Sequence, residues 1–436
     1  MTYDEALAYI HGANRFGKKQ GLRNIRTLLR IMGDPQKKLR FVHVAGTNGK
    51  GSTSAFIGSI LSEAGYKTGI YTSPYVQRFT ERIAMSSPVA IGRNTLRTEI
   101  SRGELADITS FVRDCVNRMA ETGENRPTEF EIVTAIAYEY YFRKRCDIVV
   151  LETGLGGRFD PTNVIDVPEL AVITSIGMDH TERLGKTLAE IASEKAGIIK
   201  PGGDVLVYDQ SPEVMQIFED ACGQRKAGLH IAGFSGIELR EFGSEGQVFS
   251  YKGFRELKIP LIGRHQLRNA AVAVDAALLL NNRGYSIPEE AIRRGLENTR
   301  WPGRMEILST DPAIIIDGAH NAEAAVVLKE TLNEYFPGRP LKFIVGMAAD
   351  KDYHTMLGTV LPGCKKVVAV TIPSIRALPA DLLAKYASTY CNDVMISDTI
   401  EGALKIIMET ARPKDVVCAF GSLYYIGLIR DMFGRS

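Results

Sequence analysis

A lysine set among glycines at the end of an apolar run, Gly46-Thr47-Asn48-Gly49-Lys50-Gly51-Ser52 after Phe41–Ala45, has the residue types needed to hold phosphate. Glycines let backbone N–H groups converge on phosphate oxygens, a following helix N-terminus adds positive potential, and Lys50 adds a point charge. The order departs from the general P-loop. Val44 stands where the first glycine of that pattern belongs, and Gly51 separates Lys50 from Ser52. A simple chain reversal would also use glycines. Strand, Gly-x-x-Gly-Lys-Gly-Ser and helix in that order favour nucleotide binding.

Three more positions carry groups that suit Mg²⁺ beside a triphosphate: Ser73 in Thr72-Ser73-Pro74, Glu152 after an apolar run, and His180 in Asp179-His180. Mg²⁺ prefers oxygen ligands and keeps several waters, so a histidine is an atypical partner that acts more readily through water. Taken singly, Glu152 could cap the following turn and His180 could be a satisfied core histidine. Their joint occurrence at strand ends is what points to metal and phosphate chemistry.

The elements that position these groups are legible as an α/β pattern. Phe41–Ala45, Thr68–Thr72, Asp147–Leu151 and Ala171–Ile176 are apolar runs ending in small or polar residues, as buried parallel strands do. Residues 54–64 form an amphipathic helix closed by Gly65. The stretch 234–258 suggests an irregular or antiparallel excursion, and Arg300-Trp301-Pro302-Gly303-Arg304 makes a hinge. Beyond it a second alternating set begins: strands at Ala313–Ile316, Leu341–Val345, Lys366–Ile372, Val394–Ser397 and Asp415–Phe420, with helices over Ala322–Tyr335 and Ile400–Ala411. Two different α/β domains follow, residues 1–298 and 299–436, each an open parallel sheet whose chemistry sits at the carboxyl edge.

The 436 residues suffice for roughly two to three domains. Apolar and charged contents of 45% and 24% are those of a globular protein, and a formal charge of +2 gives no reason to expect nucleic acid or a membrane. No apolar run reaches the ~18 residues of a membrane span. The N-terminus lacks the order of a signal peptide. Six scattered cysteines without a C-x-x-C pair argue against zinc and disulfides and suit a reducing cytoplasm. One local imbalance remains: nine basic residues and one acid lie between Arg15 and Arg40. Leu22, Ile25, Leu28 and Leu29 recur at helical spacing, which fits a solvated helical face; an attraction for a polyanionic substrate is the other reading.

The motifs above, with Glu81-Arg82-Ile83, Leu151-Glu-Thr-Gly-Leu-Gly-Gly-Arg158, Asp160-x-Thr-Asn163, Glu194-Lys-Ala-Gly-Ile198, Arg300–Arg304 and Asp317-Gly-Ala-His-Asn321, resemble folylpolyglutamate synthase. That family includes bifunctional dihydrofolate synthases and belongs to the Mur ligase group. The resemblance runs from about residue 10 to Ser422-Leu-Tyr424. It implies a P-loop-type ATPase domain followed by a Rossmann-like domain, acting as a cytoplasmic, monomeric, ATP-dependent amide ligase. A folate γ-carboxylate, or dihydropteroate, would become an acyl phosphate that L-glutamate attacks.

By the same resemblance Gly46, Thr47, Asn48, Gly49, Lys50, Gly51 and Ser52 hold the phosphates of ATP, and Ser73, Glu152 and His180 serve two Mg²⁺ ions. Lys195 matches a lysine that is carbamylated in the family, although spacing alone reads it as an ordinary helix lysine near Glu190 or Glu194. Asn269 resembles an adenine contact, Arg304 a phosphate contact and Asp317 a ribose contact. His320, otherwise a loop-capping residue, would share the cleft with Asp317. Thr128, Phe130, Phe159 and Asp160 offer aromatic and polar groups for a pterin ring. Departures from the family pattern are Tyr75, Pro161 and Ala322, which bear on substrate preference and loop geometry. Rival readings are another Mur-type amino-acid ligase, or a nucleotide-dependent switch that leaves the Asp317–Asn321 motif unexplained.

Overall fold

The computed structural model describes residues 1–13, 21–87, 96–121 and 123–434. The chain forms two compact units. The first comprises Met1–Pro74, Phe79–Gly236 and Arg268–Thr299; the second comprises Tyr75–Arg78, Ile237–Leu267 and Arg300–Ser436, so it takes two segments from ahead of residue 299.

The first unit is built on an eight-stranded sheet. Its strands are β1 (Phe41–Ala45), β2 (Thr68–Tyr71), β3 (Ile83–Ser87), β4 (Leu96–Glu99), β5 (Ile148–Glu152), β6 (Leu170–Ile173), β7 (Asp204–Tyr208) and β8 (Gly228–Ala232), in the order β4-β3-β2-β5-β1-β6-β7-β8. From β2 to β8 the pairings are parallel; β3 and β4 add an antiparallel edge. β1, β5 and β6 are buried along their whole length, which is why they read as unbroken apolar runs. Ile173, Val205, Val207, Ile191, Ile198 and Phe218 pack one face of the sheet, each fully buried side chain of this size contributing about 1.5–3 kcal/mol.

Register then does the positioning. Val44 lies opposite Glu152, Ala45 opposite Ile173, and Tyr71 opposite Leu151. The residues that follow these strands (Ser73, the Gly46 loop, Thr174 and Ser175) therefore emerge along one edge with Glu152. The helix Lys50–Glu63 leads away from β1 to β2 on one side while β6 lies on the other, so the loop occupies a point where strand order reverses.

The second unit holds two sheets. β9 (Glu238–Gly243), β10 (Gly246–Tyr251) and β11 (Phe254–Ile259) form the antiparallel excursion expected around 234–258. β12 (Glu306–Thr310), β13 (Ala313–Ile316), β14 (Leu341–Val345), β15 (Lys366–Val370), β16 (Val394–Ser397) and β17 (Val416–Phe420) form a sheet in the order β12-β13-β17-β14-β15-β16. Five of its strands are parallel, and β12 is an antiparallel edge. Among the described residues no helix is long and apolar enough to cross a membrane.

Candidate active site

The glycine loop is held open from below. Gly46 has φ +150° and Gly49, which caps the helix Lys50–Glu63, has φ +87°, both conformations that favour glycine. A Cβ on Gly46 would fall 1.8 Å from Thr174 Oγ1, and one on Gly49 would fall 2.6 Å from Asn269 Oδ1. Thr174 Oγ1 donates to the Asn48 carbonyl at 2.7 Å, and Thr47 N donates to the Ser175 carbonyl at 2.7 Å. Thr47 Oγ1 and the backbone of Gly177 exchange two further bonds. The helix thus starts at Lys50 rather than at residue 54, with Gly51 and Ser52 in its first turn. Its N-terminal amides face the loop, an arrangement suited to phosphate. Lys50 Nζ donates to the carbonyls of Gly46 and Thr47, each at 3.1 Å, which keeps its ammonium over the same loop.

Lys195 meets this loop from another element. It ends the helix Leu188–Lys195, is only 3% exposed, and donates from Nζ to the Gly46 carbonyl at 2.6 Å. Burial, with Lys50 adding to it, pushes the ammonium down to about 7, against smaller opposing effects of Asp179 and Asp160. Near neutral pH this amine is therefore partly uncharged.

On the other side of β1, Glu152 is buried and Ser73 N donates to its Oε2 at 3.2 Å. His180 is exposed, sits at φ +52°, and has Nε2 3.9 Å from Asp179 Oδ2. Among the described residues no three His, Cys, Asp or Glu side chains form a group able to hold a metal ion by themselves. A serine and a buried carboxylate joined by that backbone bond bring two oxygen donors to one edge, which fits an ion that draws most of its oxygens from phosphates and water, as Mg²⁺ does.

The positions expected to receive the pterin are divided. Phe159 is 59% exposed and lies against Gly21, an open aromatic platform. Phe130 packs on Gly154 and Tyr71. Thr128 caps the helix Glu129–Arg143 in a reciprocal box with Glu131. Asp160 is enclosed: its oxygens accept from Leu155 N at 2.8 Å, Thr162 N at 3.0 Å and Thr162 Oγ1 at 2.5 Å, while burial raises its carboxyl above the usual range. It fixes the loop that displays Phe159.

Two features here carry no sequence signal strong enough to find them. His43, fully buried in β1, reaches Thr162 Oγ1 at 2.9 Å across 119 residues, and burial drives its imidazole down to about 3. Tyr208 donates to Asn269 Oδ1, which sets the amide beside Gly49. Of the basic N-terminal stretch, Arg23 pairs with Glu124, Lys37 with Asp34, and Lys38 lies over Phe142, in keeping with a solvated face. Arg15, Lys18 and Lys19 lie outside the described residues.

The second unit brings Arg304, Asp317 and His320 together. Asp317 follows β13, and its oxygens accept from Met305 N and Ala319 N, each at 2.8 Å. Burial raises its carboxyl, against the pull of Arg304. Arg304 reaches over Gly318, and His320 Nδ1 donates to the Gly318 carbonyl at 2.7 Å, leaving Nε2 as the acceptor in the neutral ring. Asn321 caps the helix Ala322–Tyr335.

A family profile of the Mur ligase middle domain matches residues 44–277, and one of the Mur ligase glutamate ligase domain matches residues 303–423. A dihydrofolate synthase/folylpolyglutamate synthase of Bacillus subtilis (strain 168) is 37% identical over 98% of this chain and 98% of its own. The chain belongs to the folylpolyglutamate synthase family of Mur ligases. Folylpolyglutamate synthase of Lacticaseibacillus casei is 34% identical over 99% of this chain and 98% of that protein. Among solved structures, Mycobacterium tuberculosis folylpolyglutamate synthase complexed with ADP matches with a TM-score of 0.88 at 28% identity, over 100% of this chain and 98% of the other. A folylpolyglutamate synthase–AMPPCP–folate complex matches at 0.85 and 31% identity over 99% of both chains. The α/β architecture with a Mur-type ATP-binding domain and a C-terminal domain, expected from the motifs, is the one observed.

Proposed function

We propose that this ligase uses ATP to join L-glutamate to the γ-carboxylate of a folate through an acyl phosphate, acting as a single chain. What carries the reading is the meeting of the Gly46–Ser52 loop, Lys195 and Glu152 at one sheet edge, in a chain that matches a family member complexed with AMPPCP and folate. A γ-carboxylate oxygen attacks the γ-phosphorus of ATP, and ADP leaves. The glutamate amine then attacks the acyl carbon, loses a proton, and phosphate departs. Such chemistry needs positioning and charge neutralisation more than covalent help. The loop amides and Lys50 hold the phosphates, Asn269 faces the adenine, Arg304 a phosphate and Asp317 the ribose. His320, with Nδ1–H fixed on Gly318, offers Nε2 to the proton released by the amine. Phe159 supports the pterin.

Ser73, Glu152 and His180 would hold Mg²⁺, which supplies neutralisation of phosphate charge. An amine held near 7 is reactive toward CO₂, so Lys195 is the natural site of a carbamate that would add oxygens for a second ion. Dihydropteroate is the second acceptor proposed, because the Bacillus subtilis relative is named for both activities. Six free cysteines fit a reducing cytoplasm.

Hydroxylamine tests the intermediate. With ATP, Mg²⁺ and tetrahydrofolate but no glutamate, the expected product is a folate hydroxamate formed together with ADP. ADP release without hydroxamate would contradict an acyl phosphate.

A further inference from the structure

At the carboxyl edge of the sheet in the second unit, the loop after β15 is stitched to the loop after β14. Ala349 N donates to the Arg376 carbonyl at 2.7 Å, Leu378 N donates to the Met347 carbonyl at 2.9 Å, and Ala348 bridges Ala377. This fixes the backbone of Arg376. Its side chain is fixed too: Nη1 donates to Asp350 Oδ2 at 2.9 Å, Nη2 donates to Tyr424 Oη at 3.2 Å, and the guanidinium lies 5.9 Å from the Tyr424 ring centre. Two loops and the start of the helix Leu423–Met432, each following a parallel strand, thus hold one arginine, whose side chain remains 40% exposed. A guanidinium has five N–H donors, and a fork held this way is prearranged for a carboxylate.

We propose that Arg376 receives a carboxylate of the incoming glutamate and sets the enzyme's preference for that co-substrate. The inference rests on the ligase reading above and names the residue that would serve it. Residues 303–423 match the glutamate ligase domain of the Mur ligases, which places the amino acid on this unit. Asp350 explains why the ligand is an amino acid rather than a phosphate. Its negative charge beside the guanidinium opposes a phosphate dianion more strongly than it opposes a single carboxylate. Arg304 is turned over Gly318 beside Asp317.

The bland alternative is a strap, with Arg376, Asp350 and Tyr424 only tying loops together. Two substitutions separate the readings by sign. Arg376→Ala is expected to raise KM for glutamate about 10- to 100-fold, the loss of hydrogen bonds to a charged group, while KM for ATP and for folate stays within about twofold. Asp350→Asn leaves Arg376 unopposed and is expected to hold or lower KM for glutamate. Equal increases in both variants, or a parallel rise in all three KM values, would overturn the proposal in favour of the strap. Glutamate binding measured by calorimetry on the same proteins keeps the two proposals apart. A wild type inert toward folates that still binds glutamate through Arg376 would defeat only the folate reading. Normal turnover with unchanged glutamate KM in Arg376→Ala would defeat only this one.

Discussion

Lys195→Ala is expected to lower turnover by at least about 10³-fold while the protein stays folded, the scale of losing a preorganised charged group at a phosphoryl-transfer site. The side chain touches the phosphate loop directly, through Gly46, from a helix whose Ile191 and Ala192 share a core with Ala45 at the end of β1. Its ammonium is held at about 7 instead of its ordinary 10.5 because burial disfavours the charge. Two consequences follow from that sign. The neutral, CO₂-reactive amine is the major form above about pH 7 and the minor one below, so bicarbonate should activate the wild type more at pH 8 than at pH 6. Between pH 7 and 10.5 the unfolded chain carries a proton on this lysine that the folded chain has given up. Lys195 therefore costs stability at neutral pH, and the cost fades as pH rises toward 10.5. Removing it relieves that cost while leaving a cavity, which is why melting followed by circular dichroism should show a folded variant. Formate or acetate should restore part of the activity if the missing group is a carbamate. Wild-type rates in Lys195→Ala without any added carboxylate would contradict a metal-organising role.

Gly46→Ala is expected to cut kcat/KM for ATP by about 10²–10³-fold, the scale on which displacing a catalytic element by about an ångström acts. Two causes combine. At φ +150° an L-residue is strained, and the added Cβ would lie 1.8 Å from Thr174 Oγ1 and 3.2 Å from Thr174 N. The hydroxyl can move only by releasing the Asn48 carbonyl, and the shifted loop would also draw Gly46 away from Lys195. Stability should fall by about 1–3 kcal/mol as well. Adding Thr174→Ala removes the closest clash but neither the backbone strain nor the lost tether, so the double variant should recover only part of the ATP binding read by nucleotide fluorescence. An ATP kcat/KM close to wild type in Gly46→Ala would show that the loop does not hold phosphates in this conformation.

How much of this was legible in the sequence depended on how local each cause is. The phosphate loop is written in seven consecutive residues, and the parallel strands show as apolar runs because both of their faces are covered. The helix Ala322–Tyr335 was readable to the residue, since Asn321 caps it. The antiparallel edges were not readable. β12 is only partly buried, and β3 and β4 pair through contacts that no periodicity announces. Thr128 carries a local signal of a structural kind: Thr-x-x-Glu ahead of an apolar run is a capping box, so its hydroxyl has a structural partner whatever else it touches. For His43, Thr162 and Asp160 the sequence offers only a motif. The chain of hydrogen bonds joining them exists because β1 passes beneath a loop more than a hundred residues away. Likewise Tyr208, rather than anything near Asn269 in sequence, sets that amide against the phosphate loop.

The measurement that tests the central claim most directly is glutamate-dependent phosphate release from ATP with Mg²⁺, run in parallel with tetrahydrofolate and with dihydropteroate. Release with tetrahydrofolate, and a product one glutamyl unit longer, is the expected result; release with both acceptors would add the dihydrofolate synthase activity. Silence with both, in protein shown to bind ATP, would contradict the folate reading and point to a different Mur-type acceptor.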